Sequence, residues 1–340
     1  MTGSPRLSEH PCDVLAAPDP VRAFLDAHDR GGLVALRTAG TSGTPRPVVR
    51  TTDSWVCSFA HVTALVALDA GSRVWVPGPL ASTMNLFAAV HASSVGATVT
   101  SAPDAMTHAC LTPAALARYL DGDTDPAGVH VVIAGDRLPP ALQRRARAAG
   151  ATVSHYYGAA ELSFVAWGSH ADDLHPFPEV ETSVRDGVLW VRSPYLCRGY
   201  AGAAGPLRRD TDGFATVGDR GSVTAGLVTV SGRGSDAVTT AGATVQVADV
   251  EHGLRGSVEG ELVVVGLPHP TLGAVVAAVL TDPASLAQAR AAARETLAAS
   301  ARPRLWFHVA ELPVTGAGKV DRPALAEMLG SPGEGVRRLT

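Results

Sequence analysis

Between residues 38 and 47 the chain reads Thr38-Ala39-Gly40-Thr41-Ser42-Gly43-Thr44-Pro45-Arg46-Pro47, glycine and small hydroxyl residues leading to a cation. Glycine permits tight turns and close approach of the backbone, so such a loop can aim N–H groups and hydroxyls at a polyphosphate. It is not a Walker loop, because no Gly-Lys-Ser/Thr ending follows. Four further segments come later: Tyr156-Tyr157-Gly158-Ala159-Ala160-Glu161, then Gly218-Asp219, then Gly232-Arg233-Gly234-Ser235-Asp236, then Leu312 to Arg322 with Lys319 inside it. Each has an ordinary structural explanation. Glu161 reads as a surface carboxylate, Asp219 as a turn former before Gly221, Tyr157 as a core aromatic and Lys319 as a solvated loop lysine. Their order and spacing together are harder to assign to coincidence.

That order resembles the adenylate-forming superfamily of acyl-CoA synthetases, peptide-synthetase adenylation domains and luciferase, with compact o-succinylbenzoate:CoA ligases as short members. The resemblance runs from about Leu36 to Leu325. It implies that Thr41, Ser42, Gly43 and Thr44, with Arg46, face the β- and γ-phosphates of ATP. It implies that Tyr157 stacks on adenine, Gly135 lines the adenine pocket, Asp219 takes both ribose hydroxyls and Arg233 lies beside it. Glu161 corresponds to the carboxylate that holds Mg²⁺, and Lys319 to the lysine that reaches in for adenylation. Asp236 corresponds to the hinge of a C-terminal domain that rotates between half-reactions, and Gly242 to the glycine of the thiol tunnel.

The chemistry makes sense of the set. A carboxylate attacking the α-phosphate is an anion meeting an anion, so positive charge must be supplied where negative charge builds. Mg²⁺ on Glu161, Lys319 and Arg46 would supply it, and a carboxylate nucleophile needs no general base. Arg46 and Pro47 stand where Lys-Gly is usual, Ala39 replaces a Ser, Ala160 replaces a Thr, and Thr239 sits where Lys is common. Arginine keeps the charge but changes its shape. The missing hydroxyl at Ala160 costs about 1.5–3 kcal/mol if it bonded a charged group, which slows an enzyme without abolishing it.

These residues need a frame. A short apolar run at 34–36 precedes the hydroxyl-rich loop, helical spacing covers 54–68, and strands at 74–76, 97–100 and 129–134 alternate with helices at 86–95, 113–120 and 140–149. Alternation of this kind favours a mostly parallel sheet covered by helices. After about Glu179 short alternating runs separated by Gly and Asp predict a small β-barrel-like part. The expected fold is α/β: a large N-terminal domain over 1–234 that binds ATP and acid, and a smaller, mobile α+β C-terminal domain over 235–340 carrying Lys319. Beyond 236 the reading is a β-rich stretch to Thr281, a helix at 284–299 and a strand near 306–309.

With 340 residues, 46% hydrophobic, 18% charged and net charge −4, the chain can bury two cores and shows no basic run for nucleic acid or a membrane surface. Cys12, Cys57, Cys110 and Cys197 form no Cys-x-x-Cys pair and read as buried free thiols. The absence of an apolar leader or span places the protein in the cytoplasm. The acid pocket is expected along 77–87, 135–137 and 158–164, with Ser82, Asn85, Gly158 and Ala159 as candidates. No Asp stands there to bind an amino group, which favours an aryl or other non-amino acid. The acceptor is CoA, or alternatively the phosphopantetheine of a carrier protein loaded by a stand-alone adenylating enzyme. A degenerate nucleotide-binding regulator is a further alternative, and the short N-terminus is compatible with a homodimer.

Overall fold

The computed structural model describes residues 11–37, 46–122, 124–202, 205–233, 237–315, 319–331, 333 and 335–340. Thr41, Ser42, Gly43, Thr44 and Asp236 lie outside them, as do the side chains of Arg37 and Arg233. The chain divides into two compact units, Met1–Val230 and Ser231–Thr340. The division falls just ahead of the boundary expected at 234.

The first unit is built on a seven-stranded sheet ordered His175–Pro176, Ser163–Gly168, Thr152–Ala159, His130–Ile133, His108–Leu111, Arg73–Trp75, Thr98–Thr100. From Thr152–Ala159 onward every pairing is parallel, and the first two are antiparallel. Side chains alternate between two apolar layers, as a sheet buried on both faces requires. Val131, Ile133 and Val153 pack with Leu116 and Ala146 of helices Pro113–Asp121 and Pro140–Ala148. Val132 and Tyr156 join the layer formed by Phe59, Val62, Phe87 and Val90 of helices Asp53–Val66 and Thr83–Val95. These helices end where the sequence lets them. Ala67 and Gly96 take left-handed conformations at the two C-termini, and Thr112 caps the next helix by accepting from the Ala115 N–H.

A second sheet pairs Leu33–Arg37 with Pro47–Thr51, Arg37 opposite Pro47, and adds Gly199–Tyr200 along the outer edge. A third, antiparallel sheet over 181–233 forms the small β part. The second unit has a sheet in which Leu262–His269 and Gly273–Leu280 pair over eight residues, with helices Val247–Arg255, Leu286–Thr296 and Arg322–Gly330. The stretch expected to be β-rich up to Thr281 therefore contains a helix. Its Val247, Val250 and Leu254 are buried at helical spacing, although each valine alone favours a strand. The thiols also differ from expectation: Cys110 and Cys197 are buried, while Cys57 is exposed.

Candidate active site

Tyr157 and Asp219 meet. The Tyr157 hydroxyl donates to Asp219 Oδ2 at 2.5 Å, although 62 positions separate them. Tyr157 lies on strand Thr152–Ala159, and Asp219 opens strand Asp219–Thr224 directly after Gly218, whose φ of +83° only glycine adopts readily. Asp219 is buried, so the bond fixes its carboxylate against one wall of the site.

Glu161 stands in the turn that joins strands Thr152–Ala159 and Ser163–Gly168. Closing this hairpin brings Ser163 to a φ of +59° and its carbonyl to where a Cβ on Gly158 would lie, only 2.2 Å away. The turn itself thus requires glycine at 158. Glu161 is buried, and Tyr200 donates to its Oε1 at 2.7 Å. The Glu161 Oε2 has no hydrogen bond among the described residues. The Glu161 carbonyl accepts from the Cys197 N–H at 2.9 Å.

Arg50 holds the same turn from the other side. It is fully buried on strand Pro47–Thr51 and donates to the Ala160 carbonyl at 2.7 Å and to Ser54 Oγ at 3.2 Å, with its guanidinium over the Trp55 ring. Burial lowers its pKa to about 10, opposed by the nearby thiols of Cys197 and Cys57 and the Glu161 carboxylate, so it remains cationic at neutral pH. Sequence reasoning missed Arg50 and Tyr200, because nothing in their local context marks contacts 110 and 39 positions away. Strand Pro47–Thr51 follows Arg46 and the hydroxyl-rich loop, so Arg50 ties that hairpin to the Glu161 turn.

Gly135 has a φ of +88° just beyond strand His130–Ile133. His155 spans this loop, with Nδ1 2.9 Å from the Ile133 carbonyl and Nε2 accepting from the Leu138 N–H at 3.5 Å. Burial pushes its pKa down to about 4, so the ring is neutral and donates from Nδ1. Asn85 is buried, its amide donating to the Pro79 carbonyl at 3.1 Å and filling the space beside Gly78. Ser82 precedes helix Thr83–Val95 without a side-chain capping bond, and Ala159 ends its strand.

In the second unit Gly242 and Ala241, both at positive φ, form the two-residue turn between strands Ala237–Thr240 and Ala243–Gln246. Lys319 is held by its backbone: its carbonyl accepts from the Thr315 N–H at 2.7 Å, and its N–H donates to Thr315 Oγ1 at 3.3 Å. Asp321 then caps helix Arg322–Gly330, and Arg322 donates to both oxygens of buried Glu251 at 2.8 and 3.2 Å. The segment that carries Lys319 is thereby anchored to its own unit's core.

Residues 33–201 match the AMP-binding enzyme family. The chain is 31% identical over 364 aligned residues to the probable 2-succinylbenzoate–CoA ligase of Mycobacterium tuberculosis (strain ATCC 25618 / H37Rv), covering 92% of both. The chain belongs to the AMP-binding enzyme family. Within that family it is also 30% identical to a salicylyl-CoA synthase / salicylate adenylyltransferase of a Streptomyces species, over 94% of this chain and 68% of that protein. ATP-bound MatB from Rhodopseudomonas palustris shares the AMP-binding fold, with a TM-score of 0.74 at 21% identity over 88% of this chain and 68% of that one.

Proposed function

We propose that this chain is an AMP-forming acid–thiol ligase. It converts a carboxylic acid and ATP to an acyl-adenylate and pyrophosphate, then passes the acyl group to the thiol of CoA. The observation that carries the reading is the Tyr157–Asp219 contact at 2.5 Å beside the Glu161 turn, within a chain of the AMP-binding family. A carboxylate has about four lone-pair sites, so Asp219 can keep the bond from Tyr157 and still accept two ribose hydroxyls. A sugar held this way fixes the α-phosphate for in-line attack by the acid.

Glu161 fits a Mg²⁺ role. One oxygen is held by Tyr200 and the other is without a hydrogen bond among the described residues, which suits a cation that takes one protein carboxylate and completes its shell with phosphate oxygens and water. No group of three or more His, Cys, Asp and Glu side chains suited to a metal occurs among the described residues. When bound, Mg²⁺ neutralises phosphate charge. Thr41 to Thr44 and Arg46 receive the β- and γ-phosphates, Arg233 lies at the ribose, and Lys319 supplies cationic charge to the transition state. Asp236 and Gly242 serve the thioester step, in which the second unit reorients. The reaction belongs in the cytoplasm; no helix among the described residues is long and apolar enough to cross a membrane.

The test is acid-dependent pyrophosphate release by the purified chain, followed by acyl-CoA formation when CoA is added. Lys319→Ala should lower pyrophosphate release by about 10²–10³-fold, the usual cost of one preorganised charge-stabilising donor, with calorimetric ATP binding retained. Equal rates for variant and parent would remove Lys319 from the mechanism.

A further inference from the structure

Among the described residues Tyr200 alone hydrogen-bonds the side chain of Glu161, and its own surroundings fix how it does so. The Tyr200 hydroxyl donates to Glu161 Oε1 at 2.7 Å and accepts from the Leu207 N–H at 3.2 Å. An N–H can only donate, so it occupies a lone pair of the phenol oxygen and leaves the phenol proton to the carboxylate. The ring is placed as closely as the hydroxyl. A Cβ on Gly205 would lie 2.2 Å from Tyr200 Cζ and 2.6 Å from the hydroxyl oxygen, so the chain crosses the ring at a residue with no side chain.

The backbone around Tyr200 is tied to the strand that leaves the hydroxyl-rich loop. The Arg198 N–H donates to the Val49 carbonyl at 2.7 Å and the Ala201 N–H to the Pro47 carbonyl at 2.9 Å, with Tyr200 opposite Val48. Strand Pro47–Thr51 begins directly after Arg46. One oxygen of Glu161 is therefore held in register with the exit of that loop, and Oε2 is left as the oxygen that can meet a cation.

We propose that Tyr200 is a specificity-determining residue, which by engaging Oε1 makes Glu161 a one-oxygen ligand and so selects Mg²⁺ over Ca²⁺ as the cation that accompanies the nucleotide. The proposal rests on the assignment of Glu161 to the metal above. Mg²⁺ demands near-ideal octahedral geometry and is held by one or two carboxylates with phosphate oxygens and water, which a single fixed oxygen suits. Ca²⁺ takes about six to eight oxygens in a looser shell and accepts both oxygens of one carboxylate. Tyr200 acts through Glu161 and is a positioning residue. Without its hydroxyl the carboxylate can turn and offer both oxygens, which favours the larger cation.

The test is calorimetric binding of ATP to the full chain, with no acid present, in saturating Mg²⁺ and in saturating Ca²⁺. The parent should bind ATP about tenfold more tightly with Mg²⁺, the scale of one contact to a charged group. Tyr200→Phe keeps the ring and removes the donor, and should narrow that ratio to about twofold or less. Gly205→Ala drives the ring away from Glu161 by a different route and should narrow it in the same direction, which covers the case in which Tyr200→Phe does not fold. Glu161→Gln should abolish the preference. A parent that binds ATP equally well with either cation overturns the proposal, and so do variants at 200 and 205 that lose affinity equally with both, since that is the result of a structural role alone. If Glu161→Gln keeps the parent's preference, the metal assignment of Glu161 fails and Tyr200's role falls with it. No ATP binding by the parent with either cation counts against the adenylation reading itself.

Discussion

Arg50 is the residue whose role is least expected from its type, since arginine is rarely fully buried without a contacting carboxylate. Its positive charge is tolerated because the guanidinium donates to the Ala160 carbonyl and Ser54 Oγ, lies over Trp55 and feels the nearby Glu161 carboxylate. Its Nε has no partner, so part of the desolvation cost stays uncompensated. A group kept at that cost is explained by what it positions, namely the turn that presents Glu161. Arg50→Met removes both donated bonds and should destabilise the protein by about 1–3 kcal/mol, read by urea denaturation. It should also raise the Mg²⁺ concentration needed for half-maximal pyrophosphate release. If stability falls while the Mg²⁺ titration stays put, Arg50 supports the fold and does not tune the site.

The elements show what a sequence carries and what it does not. The βα alternation from Asp53 to Ala148 was legible because helical spacing, Pro at the first helical turn and Gly after the last are local signals. The motif residues Tyr157, Glu161 and Asp219 were legible by type and order, but the Tyr157–Asp219 contact was not, since a bond across 62 positions leaves no local trace. The helix Val247–Arg255 was misread because β-branched residues at its buried positions imitate a strand. The loop through Gly135 depends on His155, whose neutral ring ties Ile133 to Leu138 across it. His91 and His155 both have folded pKa values of about 4, below the ordinary 6.5, so the unfolded chain takes up the protons first as pH falls. Stability from this pair is fully present above about pH 6.5 and is lost as pH falls towards 4. In His155→Asn, stability measured by denaturant titration should fall at pH 7 and should depend less on pH between 6.5 and 4 than in the parent. KM for ATP should rise if the loop lines the adenine pocket. An unchanged pH slope would show that His155 is not the titrating group.

At the scale of the whole molecule, the residues divide by unit. Tyr157, Glu161, Asp219, Arg50 and Tyr200 all belong to Met1–Val230, together with two apolar layers around their own sheet. Lys319 belongs to Ser231–Thr340, where Asp321 caps the following helix and Arg322 pairs with Glu251 over a separate core. Strand Leu227–Arg233 runs across the division, so a chain ending at Arg233 keeps the whole strand and the arginine expected beside the ribose. Such a shortened chain buries its own core without the second unit and should unfold cooperatively in urea. It should bind ATP within a few-fold of the parent, because nucleotide recognition is assigned to the first unit. It should lose acid-dependent pyrophosphate release by about 10²–10³-fold, the same loss expected for Lys319→Ala, since both remove one cationic group from the transition state. Equality of those two losses is the informative result. If the shortened chain loses far more activity than Lys319→Ala while still binding ATP, the second unit supplies catalysis beyond its lysine; if it loses none, adenylation does not need that unit at all.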